Sequence, residues 1–141
     1  MGGYTEGMRL TELEPRFIQF AVTIAYACHG RKLDNGEIQW GGFEVDSFID
    51  VPTFAEAHGI IFICPLEFKK NNGVIGSHSV QVFFHGKPVP PHIGKNSQGQ
   101  MVRWTATGTG FEDLTLTPSI FENGNPPCWH GFITNGDVSI V

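Results

Sequence analysis

Two of the four Asn-Gly pairs, Asn35-Gly36 and Asn135-Gly136, constrain this chain more than any other feature. Such a pair suits tight turns that need positive φ, and each stands between runs rich in β-branched and aromatic residues, the pattern of a hairpin. The flanking runs read as short strands over Phe17–Cys28, Ile60–Cys64, Ser79–Phe84, Val102–Thr107, Leu114–Thr117, Cys128–Ile133 and Val138–Val141. Pro118 is expected to stop the fifth of these. The 141 residues include 18 glycines, 9 prolines and 12 phenylalanines, a composition of many turns and many strands. The expected fold is all-β or β-rich: one domain of short antiparallel strands, a sandwich or partly open barrel.

Residues 1–15 read as an extended arm and residues 16–141 as the domain. One short helix is expected near 53–58, with Pro52 at its start and Gly59 past its end. Residues 85–101 (HGKPVPPHIGKNSQGQM) read as a long loop.

The net charge of −5 argues against nucleic acid, which needs a basic footprint. No apolar run is long enough for a membrane helix, and MGGYTEGMRL lacks the pattern of a signal peptide. The expected location is therefore a cytoplasm, with reduced thiols. Three cysteines, an odd number, do not suggest a disulfide framework.

The segment CWHG, Cys128–Gly131, carries the strongest chemical signal. On a strand, Cys128 and His130 would face one side and Trp129 the other. A hairpin over 60–84 would bring Cys64 and His78 together at its open end. These four residues, Cys64, His78, Cys128 and His130, make a Cys₂His₂ set suited to structural zinc. Glu67 and the Cys28-His29 pair are reserve ligands. With one ligand fewer the site would open to a zinc-bound water, with Glu67 or Asp137 as general base. Two further readings are weaker. A Rieske centre needs a second C-x-x-H that is missing, and a Cys128–His130 dyad has no third member. Gly108 and Gly110 lack the rest of a dinucleotide fingerprint. Leu114–Ile120 (LTLTPSI) offers hydroxyls alone.

The segments MRLTELEP (Met8–Pro15), Cys64-Pro65, Trp104, LTLTPSI and CWHGFITNG (Cys128–Gly136) together resemble an uncharacterised family of small proteins encoded by phages and prophages. Members carry CP-x-C where this chain has Cys64-Pro65-Leu66-Glu67, which makes His78 the more necessary ligand. The resemblance implies a phage origin and no established activity. The expectation that follows is a zinc-stapled virion subunit, capsid decoration or tail-associated, with protein partners or copies of itself, in the host cytoplasm or the particle. The alternatives are a host-takeover or counter-defence binding protein and a metal-dependent hydrolase. No catalytic residues are assigned.

Overall fold

The computed structural model describes residues 8–71, 73, 78–96, 98–122 and 129–141, with the backbone alone described at 26–29, 31, 39 and 122. In chain order the elements are β1 (Met8–Arg9), β2 (Arg16–Lys32), β3 (Ile38–Val51), β4 (Gly59–Ile63), α1 (Pro65–Lys70), β5 (Ser79–Phe83), β6 (Thr105–Thr107), β7 (Thr115–Glu122), β8 (Trp129–Thr134) and β9 (Asp137–Ile140). They build two antiparallel sheets, ordered β1-β9-β8-β7-β6 and β3-β2-β4-β5. This is the all-β architecture expected, open rather than closed into a barrel.

Period-two patterning fixes which face of each strand turns inward. In β8, Trp129, Gly131 and Ile133 are buried while His130, Phe132 and Thr134 face outward. In β5, Val80 and Val82 are buried and Ser79 and Gln81 exposed. The inward residues of both sheets meet in one core that includes Ile60, Phe62, Val80, Leu116, Ile120, Trp129 and Ile133. Phe62 meets Trp129 edge-on, with ring centroids 5.8 Å apart at 84°, a favourable arrangement for the two ring quadrupoles. A methyl at Gly131 would overlap the Trp129 indole and the Ser139 carbonyl. The glycine lets the Trp129 indole N–H donate to the Ser139 carbonyl at 3.1 Å, so this buried polar group is satisfied.

The turns at Asn35-Gly36 and Asn135-Gly136 both form. Asn135 and Gly136 have φ of 49° and 78°, as a two-residue hairpin requires. Arg9 clamps this turn, with its guanidinium bonded to Asn135 O, Asp137 and Glu112 O. At the other turn Gly36 has φ 88° and its N–H donates to Leu33 O at 3.0 Å. The β2–β3 hairpin outruns its sheet: β4 pairs with β2 only at Arg16–Ile18, whereas β3 follows β2 to Lys32.

Three expectations are corrected. Met8 pairs with Val138, and Leu10 and Leu13 are fully buried, so this part of the expected arm belongs to the sheet and core; residues 1–7 lie outside the described set. The helix expected at 53–58 is a 3₁₀ turn at Phe54–Glu56. The Ala57 N–H bonds Phe54 O and the His58 N–H then bonds Ile18 O, which pulls the chain into β4 before a helix can extend. The α-helix lies at Pro65–Lys70 instead, with proline in its first turn and two lysines in its last, positions that suit each residue. Finally, β7 does not stop at Pro118 but runs to Glu122.

Candidate active site

The continuation of β7 past a proline creates the site. A proline can stand inside a sheet only at an edge or an irregularity. Here β7 takes four residue steps from Leu116 to Ile120 while β8 takes two, from Ile133 to Gly131. The surplus bulges the strand over Thr117, Pro118 and Ser119. Bulges re-aim side chains and recur beside active sites. Beyond the bulge the register is regular, with Phe121 opposite His130.

The bulge brings Ser119 Oγ within 3.2 Å of His130 Nε2. With its proton on Nδ1, the imidazole presents Nε2 as acceptor for the Ser119 hydroxyl. The Phe121 ring lies 5.3 Å from the His130 ring and limits where the imidazole can turn. Trp104 holds the Ser119 side: its indole N–H donates to the Ser119 carbonyl at 3.2 Å. Trp104 is itself fixed, because its backbone N–H bonds Phe83 O and its carbonyl accepts from the His85 N–H. Among the described residues no carboxylate hydrogen-bonds His130.

Ser119 opens onto a cleft of about 770 Å³ lined by Ser79, Gln81, Asn96, Trp104, Ser119 and Phe121 among others. His130 does not line the cleft and meets it through Ser119. The chemistry available is that of a hydroxyl nucleophile with a base in hydrogen-bond reach.

Of the four residues expected to hold zinc, Cys64, His78 and His130 are described. Cys64 and His78 do come together, as the hairpin predicted: the Cys64 N–H donates to the His78 carbonyl at 2.8 Å. Cys64, however, is fully buried and joined in a disulfide. Its sulfur is therefore not the free thiolate that a zinc ligand must be, and the expectation of reduced thiols does not hold for it. Cys128 and the Cys28 and His29 side chains lie outside the described set. Glu67 receives the His78 N–H at 3.4 Å, and Asp137 is paired with Arg9, so neither stands at His130. Among the described residues no group of three or more His, Cys, Asp or Glu could hold a metal ion; the metal-binding description is corrected accordingly.

The sequence reading did not assign Ser119 to the site and gave Trp104 no contact with it. The available signal was Pro118 inside a run of strand formers: a bulge would reconcile the two, and the residue after it would be re-aimed.

Residues 86–141 match the family model BubE, described as bacterial ubiquitination-like system serine protease. The matched segment is less than half of the chain and contains both Ser119 and His130. No curated protein and no solved structure matches the chain. The match overturns the expectation of a phage virion subunit, and the metal-dependent hydrolase finds no support in it either. Among the described residues no helix is long and apolar enough to cross a membrane.

Proposed function

We propose that this chain is a serine peptidase of a bacterial ubiquitination-like system, with Ser119 as nucleophile and His130 as general base. The observation that carries the reading is the 3.2 Å contact between Ser119 Oγ and His130 Nε2 at the edge of a cleft, inside the segment that matches a serine-protease family. In the reaction Ser119 Oγ attacks a substrate carbonyl carbon as its proton passes to His130 Nε2. The imidazolium then protonates the departing amine, leaving the acyl group esterified to Ser119. A water, deprotonated by the same imidazole, attacks the ester carbonyl; the acyl–Oγ bond breaks, the imidazolium returns its proton to Ser119 Oγ, and the new carboxylic acid departs. The Phe121 ring and the Trp104 hydrogen bond keep the two groups in register through both halves.

The partner implied is a protein substrate. The test is hydrolysis of a ubiquitin-like protein joined to a C-terminal extension by the parent, Ser119→Ala and His130→Ala chains. Each substitution is expected to reduce turnover by about a thousandfold or more, because members of such a unit fail together. Turnover by Ser119→Ala equal to that of the parent contradicts the assignment.

A further inference from the structure

The serine-peptidase reading leaves open how a polypeptide is presented to Ser119, and the free edge of β5 answers it. β5 is the last strand of its sheet and pairs with β4 on one side. The Cys64 N–H donates to His78 O, and the Phe84 N–H to His58 O. By the alternation of an antiparallel ladder, His78, Val80, Val82 and Phe84 turn their main-chain groups towards β4. Ser79, Gln81 and Phe83 turn theirs away.

On that outer side Trp104 occupies one end of the lane. Its N–H bonds Phe83 O at 3.0 Å and its carbonyl accepts from His85 at 2.8 Å, making a parallel bridge between Phe84 and Trp104. The chain then leaves the lane: Val102, two residues earlier, donates its N–H to Gly94 O instead. Among the described residues nothing hydrogen-bonds the outward main-chain groups of Ser79 and Gln81. Both residues line the cleft that Ser119 lines. Behind them Val80 and Val82 are fully buried, so the edge is rigidly backed.

We infer that the substrate docks as an extended peptide strand on this edge, exchanging main-chain hydrogen bonds with Ser79 and Gln81. It fills the lane that Val102 vacates. Trp104 ends that lane and also holds the Ser119 carbonyl, so the docked backbone runs past the nucleophile. An unpaired row of N–H and C=O groups is a template for another strand, and strand addition recognises backbone before side chains. The inference rests on the peptidase reading for its chemistry and on β5, Val102 and Trp104 for its geometry.

The experiment uses the full chain and two probes. A small alkyl fluorophosphonate reports the Ser119 nucleophile, and fluorescein-labelled unfolded casein reports peptide cleavage. Gln81→Pro removes the outward N–H without removing a bond to β4, a position that a strand tolerates. The ratio of casein cleavage to fluorophosphonate labelling is expected to fall about tenfold or more, the scale of losing a desolvated hydrogen bond. An unchanged ratio overturns the inference, and so does a parent chain that is labelled yet leaves casein intact. A parent that is not labelled defeats the peptidase reading instead. A second measurement decides the dock in that case, and also if the proline variant does not fold. On Ser119→Ala, casein peptides should slow amide exchange at Ser79 and Gln81 and leave Val80 and Val82 unchanged. No slowing at Gln81 overturns the dock.

Discussion

The outer face of β7–β8 and the projecting part of the β2–β3 hairpin both hold large apolar side chains in water, but the first brings a hydroxyl and an imidazole, Ser119 and His130, into hydrogen-bond contact. Phe121 and Phe132 are 52% and 46% exposed, and Val22, Ile24 and Trp40 are 52%, 53% and 65% exposed. The hairpin is regular from Phe17–Val51 to Ala27–Gly41, and past Ile18 β4 no longer flanks β2. Two strands alone are marginal in water. The β7–β8 face is irregular at the bulge, but the core of Ile120, Trp129 and Ile133 stands directly behind it. Reactive groups need positions fixed to a fraction of an ångström. The difference teaches that exposure alone does not mark a site: a distortion held from behind by packed residues does.

Substitutions can break or sharpen this contrast. The largest effect on stability is expected from Phe62→Ala in the body, about 3–5 kcal/mol, read from denaturant unfolding. Gly131→Ala comes next, at about 1–3 kcal/mol, because the added methyl collides with the Trp129 indole and the Ser139 backbone. Its effect on the Ser119–His130 pair is separately readable, since His130 precedes it. At the root of the hairpin, the Phe20 N–H donates to His58 Nδ1 at 3.0 Å, which requires that nitrogen unprotonated. Burial, and then the charge of Lys87, hold the His58 pKa below its ordinary value of 6.5. The unfolded chain therefore binds the proton more readily. This contribution is complete above 6.5 and fades as pH falls through the lower folded value. Melting temperature should drop on acidification from pH 7 to 5, and less so in His58→Asn, whose amide oxygen can take the place of Nδ1. The smallest effect belongs to the hairpin: Ile24→Thr should change stability by no more than about 0.5 kcal/mol. A loss as large as that of Phe62→Ala would show that the hairpin is packed in solution and end the contrast.

Much of the fold was legible because period-two patterns and turn residues are local. Ile60–Cys64 and Ser79–Phe84 each lie within a residue of β4 and β5, and the turns at Asn35-Gly36 and Asn135-Gly136 are where the sequence put them. The helix was misplaced because Pro52 and Pro65 carry the same local signal. What separates them is the tertiary bond from His58 to Ile18. The site was half legible. His130 was singled out, on the strand face opposite Trp129, as a zinc ligand beside Cys128, and not for its contact with Ser119. Its nearest sequence neighbour with suitable chemistry was Cys128, whereas Ser119 reaches it across strands through a bulge whose size depends on pairing between β7 and β8. Cys64 and His78 meet as expected, and the disulfide at Cys64 is what sequence spacing did not reveal.

The central claim is that Ser119 is a nucleophile activated by His130. The most direct test is covalent labelling of the folded chain with a fluorophosphonate, followed by peptide mapping, on the parent, Ser119→Ala and His130→Ala. The account predicts one adduct on Ser119, absent in Ser119→Ala and slowed by about a hundredfold or more in His130→Ala, since removal of the base leaves an ordinary hydroxyl. Labelling that survives in Ser119→Ala, or that His130→Ala does not slow, would contradict it.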